Sequence, residues 1–503
     1  MAAQRGGAEP LTRPSTLPEL QARYGARYRW LLLLAVMVGS VAAIMSSTII
    51  NVAVPGMSRH FLIGQERAQW VSSGFMVAMT VSMLTTPWLL GRYGYRRTYA
   101  GTMWLLLAGG MVGGFATDFS VVLLARVAEG LAAGVVQPIP AIIVMRAFEP
   151  HERGRAMGVF GTGSVLAPAL GPSIGGVLVD LFGWRSIFFL VVPFCLASLW
   201  MSSRFVPVTA PGGAAAGADS PPLDWPSLLL ASAGTLLLLN GLVQLHGGLT
   251  LASGLLLLGA GVVIVTFVLR QRRLAAGLER GGTQVPLVNQ ALYANRRFAL
   301  GSLVAFTYGM ALFGSTYLLP VYMQLGLQLS PSLVGTLLIP SGVVLAVTIA
   351  LAGRMADRQP THVMVCTGLA LLALSFLLNM TVQLETALWV VVAFGILGRV
   401  GLGFILPSLN LGAMRGLHPE LIAQGASAIS FARTLGGAAG VSLCGIVLQW
   451  RLSVHGDDLA QLASSPARLA AFNESFLMLA ALCVLSLMAA WQLREPVPEK
   501  PRP

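Results

Sequence analysis

Charge is what this sequence has least of. Only 10% of its 503 residues are charged, against roughly a quarter in soluble domains, so a soluble globular class is excluded. Cysteine is almost as scarce: Cys195, Cys366, Cys444 and Cys483 all sit in apolar runs and form no CxxC pair. Disulfides and thiolate metal sites are therefore not expected. The six histidines are scattered through loop-like stretches, too far apart in sequence to suggest a metal centre. The alternating pattern of a membrane-spanning barrel is nowhere visible, and no nucleophile–base constellation or cofactor motif appears, so neither an enzyme nor a cofactor is expected.

What is present in abundance is apolar. Hydrophobic residues make up 55% of the chain and the mean hydropathy is +0.76. Leu31–Val38, Leu228–Leu239 and Leu255–Leu269 contain no ionisable side chain. Long runs of this kind cross a hydrocarbon layer about 30 Å thick as helices of about 20 residues, the only open-ended element that satisfies its own backbone in lipid. The expected spans are Trp30–Ile50, Trp70–Leu90, Thr98–Ala116, Val121–Ile143, Met157–Leu178, Ile187–Val206 and Trp225–Leu245. Seven more follow: Leu249–Leu269, Phe298–Met323, Leu333–Leu351, Val363–Val382, Ala387–Gly412, Ile422–Gln449 and Phe472–Leu493. The first run lies behind an Arg-bearing tail, is too long for a signal-peptide core and has no small-residue cleavage site after it. It reads as a retained first span with a cytoplasmic N-terminus.

The net charge of +13 invites a nucleic-acid reading, but its distribution argues for membrane topology. With the N-terminus inside, 24 of the 32 basic residues fall in cytoplasmic loops and tails. Five lie outside (Arg59, Arg67, Arg185, Arg451, Arg468) and three within spans (Arg126, Arg399, Arg433). This is the positive-inside asymmetry, and it supports fourteen crossings with both termini cytoplasmic. The fold expected is all-α and integral to the membrane. Residues 1–29 form a cytoplasmic tail, 30–206 and 298–493 two six-helix bundles, 207–297 a linker with two inserted helices, and 494–503 a second tail. Within it, Val208–Pro222 is rich in Pro, Ala and Gly, and Arg270–Arg297 is basic. The bundles read as repeats. Arg126-Val-Ala-Glu129-Gly130 in the fourth span matches Arg399-Val-Gly401-Leu-Gly403 in the twelfth, and Gly175-Gly176 finds a counterpart in Gly436-Gly437. Parallel halves place a substrate site between them near the membrane midplane.

Of 19 acidic residues, Glu129 alone falls deep inside a span. An ionisable group at the bilayer centre costs roughly 2.5–3.5 kcal/mol even on lenient scales, so it faces a cavity or a partner. Arg126 shares its helical face, as does Gln137. Two readings stand: a protonatable coupling site beside water, or a structural ion pair. Small residues through Gly161, Gly163, Pro168, Gly171, Pro172, Gly175 and Gly176 suit close helix packing. Gly94, Arg96 and Arg97 after the second span, with Asp357 after the tenth, are either a conformational latch or ordinary anchoring. Polar residues within spans are candidate substrate contacts: Ser40, Ser47 and Asn51 in the first, Tyr308, Ser315 and Tyr322 in the ninth, with Asn240, Gln244 and Asn410 elsewhere.

Over nearly its whole length the chain resembles the fourteen-helix drug:proton antiporters of the major facilitator superfamily, the EmrB/QacA type. The match rests on Thr48-Ile-Ile-Asn51-Val-Ala-Val-Pro55, on Arg126-Val-Ala-Glu129-Gly130, on the glycine–proline string ending at Gly176, and on Gly183-Trp184-Arg185 through Pro193. The resemblance implies proton-coupled efflux of hydrophobic or cationic-amphipathic compounds by alternating access, in a bacterial plasma membrane. Small-molecule substrate, protons and the bilayer are then its partners, with a periplasmic adaptor and outer-membrane channel as further possible ones. Departures from the family pattern are informative. Ser46 stands where the first helix usually has Asp, Gly91 where the following loop has Asp, Pro87 for a Gly, and Glu129 for a Gln. The coupling carboxylate is therefore expected to have moved from the first helix to the fourth. Transport of another small molecule such as a siderophore or metabolite, an uncoupled facilitator, and a non-transporting sensor are the rival readings.

Overall fold

A computed structural model describes residues 16–210, 216–217, 221–245, 248, 250–280, 284–457 and 465–494. The expected tails at 1–15 and 495–503, and most of the apolar linker at 211–220, lie outside the described residues. The described chain is helical throughout. The helices are α1 (Leu17–Tyr24), α2 (Tyr28–His60), α3 (Gln65–Ser82), α4 (Thr86–Phe115), α5 (Phe119–Val136), α6 (Ile139–Ala147), α7 (Arg153–Phe182) and α8 (Ser186–Phe205). They continue as α9 (Trp225–Gln244), α10 (Leu251–Glu279), α11 (Ala291–Ala294), α12 (Arg296–Val321) and α13 (Pro331–Ala356). The last are α14 (Thr361–Asn379), α15 (Leu388–Met414), α16 (Ile422–Val454) and α17 (Pro466–Trp491).

Twelve stretches among the described residues are long and apolar enough to cross a membrane. The longest, Arg67–Phe115, has 49 residues and holds two of the expected spans. It is not straight. Gly94 has φ +76 and non-helical backbone, and the Thr98 hydroxyl donates to the Leu89 carbonyl at 2.9 Å. Nine residues of continuous helix would separate those groups by about 13 Å, so the chain doubles back at Gly94. A side chain there would also strike the Val208 carbonyl, which leaves glycine as the residue the turn needs. The thirty-residue α7, which holds the expected fifth span, is not one of the twelve. The first span is longer than expected: α2 runs ten residues past Ile50 and through Pro55. A proline removes one backbone donor, yet α2 continues as helix for five residues past it.

One neighbour pattern occurs twice. α2 packs on α7 and α8, α3 on α5, and α4 on α5 and α8. In the second half α12 packs on α16 and α17, α13 on α15, and α14 on α15 and α17. Between water-insoluble helices there is no hydrophobic drive to associate in lipid, so close backbone approach must supply the attraction. At the α12–α16 crossing Gly309 lies on the Arg433 carbonyl, and Gly436 and Gly440 lie on the backbones of Phe306 and Met310. Any larger residue would force these helices apart.

The halves meet at one end. The Asp357 carboxylate, capping the end of α13, accepts hydrogen bonds from the Gly154 and Arg155 amides at the start of α7, at 2.5 and 2.9 Å. One and two turns further in, Gly158 touches Gly353 and the Thr162 hydroxyl donates to the Ala346 carbonyl at 3.2 Å. Beyond that, α7 leans on α2 of its own half through Gly171 and Gly175, against Thr48 and Ile49.

α9 and α10 lie antiparallel, with Gly234 facing Val263 and Ile264, and Gly241 facing Leu257. Their shared end is tied by Asp224, which pairs with Arg270 at 2.7 Å and accepts from Ser227. Burial works against ionisation of this carboxyl, but those hydrogen bonds outweigh it and hold the group below the usual range. α10 turns Leu255, Leu258, Val262 and Val265 outward, a face suited to lipid.

Candidate functional site

The site is built from one arginine and what surrounds it. Arg126 and Glu129 occupy successive turns of α5, so their side chains meet on one face. The guanidinium Nη1 pairs with Glu129 Oε2 and donates to the Ser46 hydroxyl at 2.7 Å. Nη2 donates to the Ser46 carbonyl at 3.1 Å, and Nε reaches the Val71 carbonyl at 3.4 Å. The Phe75 ring lies under the cation, 4.2 Å from Cζ to centroid. Ser46 closes the triangle, its hydroxyl donating to Glu129 Oε2 at 3.1 Å. Three helices thus contribute: α2 the hydroxyl, α3 a carbonyl and a ring, α5 the charged pair.

Glu129 is 0% exposed and Arg126 1%. Gly109 and Gly110 let α4 lie directly over the carboxylate. A Cβ at Gly109 would come within 2.6 Å of Glu129 Cγ, and one at Gly110 within 3.5 Å of Oε1. Oε1 itself has no hydrogen-bond partner. A buried carboxylate oxygen without a donor is unusual and costly. The expected water-filled cavity beside Glu129 is not open in this conformation. Cavities of about 760 and 410 Å³ are lined by other residues, the larger by the opposite face of α5 (Val127, Leu131, Val135) together with α3, α4 and α9.

The other expected site residues are dispersed. Ser47 bonds back to the Ile44 carbonyl of its own helix, and Asn51 accepts from Ser72 on α3. Gln137 is half-buried at the break between α5 and α6. Tyr308, Ser315 and Asn410 are buried in the second half. Tyr322 is buried against Phe472 and Phe476 of α17, so it shares no site with the α2 residues. Along α7, Gly171 and Gly175 are covered by α2, Gly176 meets open space, Pro168 is half-buried, and the Pro172 side chain lies outside the described residues. Nor do the four expected latch residues come together. Gly94 and Arg96 hold the segment after α8, Arg96 Nε donating to the Val206 carbonyl at 2.7 Å. Arg97 lines the 760 Å³ cavity instead. Of the four, Asp357 reaches the other half, and burial raises its carboxyl above the usual range against the pull of the two amides.

Ser46 is the member of the site that composition and spacing did not single out. A serine in a span is unremarkable, and only the pattern of the resembled antiporters marked its position.

The family model for the Major Facilitator Superfamily matches residues 36–441. The chain belongs to that superfamily. It is similar to a multidrug resistance protein B homolog of Mycobacterium tuberculosis, 29% identical over 84% of this chain and 76% of the relative. It is similar also to the riboflavin transporter RibZ of Clostridioides difficile, 22% identical over 92% and 97% of the two chains. Among solved structures, the human organic anion transporter MFSD10 shares the fold with a TM-score of 0.65 at 17% identity, covering 92% of this chain and 99% of that one. The proton:xylose symporter XylE gives 0.64 at 12%, covering 93% and 96%. The chain is accordingly a multi-pass membrane transporter of the superfamily, and its bacterial relatives point to the plasma membrane.

Proposed function

We propose that this transporter exports hydrophobic or amphipathic small molecules in exchange for protons, by alternating access. The observation that carries the reading is Glu129. It is the acidic residue deep inside the spans, and it touches both Arg126 and the position, Ser46, where the resembled antiporters place their first-helix Asp. A proton arriving on Glu129 would cancel its charge and loosen its hold on Arg126, leaving the guanidinium to Ser46 and the Val71 carbonyl. That change of partners gives the two states between which a cycle can run.

The architecture proposed for this cycle has fourteen crossings: Arg67–Phe115 crosses twice and α7 once. Residues 30–206 and 298–493 form the moving halves, supported by the neighbour pattern that occurs twice, and α9 and α10 are inserted between them. With both termini cytoplasmic, the end closed by Asp357 is the cytoplasmic end. A second reading, transport of one particular metabolite, is favoured by the RibZ relative.

Purified protein in liposomes, followed with a pH dye, tests the coupling. Wild type is expected to release protons on addition of substrate, and Glu129→Gln to lose that release and the pH dependence of transport. Unchanged pH dependence in Glu129→Gln would end the proton-exchange reading. Proton release by a single metabolite, with none from drugs, would favour the second reading.

A further inference from the structure

The charge at the core of the two halves is not symmetric. In the first half Arg126 is neutralised by Glu129. By the repeated motif, Arg399 on α15 is its counterpart, and Leu402 stands where Glu129 stands. The second half has kept the guanidinium and the hydroxyl it binds: Arg399 Nη1 donates to Thr316 Oγ1 on α12 at 3.3 Å, as Arg126 does to Ser46 on α2. It has no carboxylate at the matching position.

A second arginine, Arg433, lies on α16, and neither Arg399 nor Arg433 has a carboxylate within 4 Å among the described residues. Each lies eleven residues into its helix, about 16 Å from the start, which is roughly half the thickness of the hydrocarbon layer. The α12–α16 crossing sets Arg433 beside α12, its carbonyl against Gly309. Both guanidinium groups act electrostatically on Tyr308. Tyr308, Leu312 and Thr316 form one i, i+4, i+8 row on α12. Both arginines are partly exposed, and Thr316 is exposed. Two fixed cations at this depth are expensive unless they face a polar space or a counter-charge. Among the described residues no carboxylate within 4 Å of either arginine supplies that counter-charge.

We propose that the corner formed by α12, α15 and α16 is an anion subsite, in which Arg399 and Arg433, with Thr316, hold the carboxylate, sulfonate or phosphate of an amphipathic substrate. This rests on the reading of the chain as an exporter of small amphiphiles, and it reverses the cationic substrate charge that the family resemblance suggested. Guanidinium groups stay charged throughout the accessible pH range and present paired donors to a planar or tetrahedral anion. An organic cation entering the same corner would meet two like charges with none to offset them.

Two aromatic ions of similar size and opposite charge decide the matter: 2-naphthalenesulfonate and 2-naphthyltrimethylammonium. Their binding to the full-length protein in phosphatidylcholine nanodiscs, corrected for empty discs, is measured at equilibrium and needs no proton movement. Wild type is expected to bind the sulfonate at least tenfold more tightly than the ammonium. Arg399→Gln and Arg433→Gln are each expected to erase most of that preference, and Arg433→Lys to keep part of it. Equal affinities in wild type, or a preference for the ammonium, would overturn the subsite. So would glutamine variants that fold, by an unchanged gel-filtration profile, and keep the full preference. If a glutamine variant does not fold, the wild-type ratio still decides. An arginine-dependent sulfonate preference without substrate-driven proton release would leave the subsite standing and remove the coupling; proton release driven by the ammonium alone would do the reverse.

Discussion

Ser46 and Glu129 lie 3.1 Å apart on different helices and share one arginine. A carboxyl group can therefore sit on either residue and still face the same guanidinium. The pairing makes a reciprocal substitution informative. Glu129→Gln leaves a desolvated cation unpaired, a change that costs about 3–5 kcal/mol in buried pairs. Adding Ser46→Asp to it is expected to restore both thermal stability in detergent and pH-dependent transport to near the wild-type level. A double variant no better than Glu129→Gln would show that the carboxyl must be on α5. Glu129 was legible in the sequence because an acid inside a span is rare and expensive. Its burial was not: the glycines that let α4 cover it, Gly109 and Gly110, look like any other small residues in an apolar run. Arg399 and Arg433 were visible too, as charges inside spans, but that no described carboxylate pairs with them emerged only from the positions of the described side chains.

At the scale of helices, the contact between α7 and α13 is closed at its end by one acidic cap. Hydrogen bonds to a charged group are worth about 1.5–3 kcal/mol each, so Asp357→Asn is expected to shift the population toward separated helices by roughly tenfold. Thr162→Cys, placed in that contact in a chain without the four native cysteines, should then react with N-ethylmaleimide about tenfold faster. An unchanged rate would mean that the glycine contact at Gly158 and Gly353 holds the end closed unaided. Asp357 was readable as a latch candidate, whereas its partner was not: backbone amides at a helix start carry no sequence signal. The grouping of Gly94, Arg96 and Arg97 with it failed for a related reason. These residues end one helix and begin the next, and the nearest free carbonyls belong to the segment after α8 rather than to the other half. Twelve membrane-length apolar stretches were readable from hydropathy, but the end of α2 was not, since a proline in a helical tail looks the same as a proline in a loop.

For the whole molecule, the turn at Gly94 decides the count of crossings. If Arg67–Phe115 spans twice, Leu62→Cys and Asp118→Cys should label from one side of intact vesicles with an impermeant reagent, and Tyr93→Cys from the other. Labelling of all three from the same side would remove the fourteen-crossing topology. The superfamily fold itself was legible from the order of apolar runs, because lipid admits so few alternatives. The distribution of charge between the halves has a consequence for the empty carrier. With Arg126 cancelled by Glu129, and Arg399 and Arg433 uncancelled, the resting core holds two positive charges within the bilayer's electric field. Each charge carried through the full field is worth about 2.3 kcal/mol per 100 mV. On the return step the proton held by Glu129 uncovers Arg126 as a third, so voltage acts most on the substrate-free, protonated protein. A bound anion weakens its grip by offsetting one charge on the outward step; the cycle should run electrically unevenly, more sensitive to membrane potential on the return than when loaded with substrate.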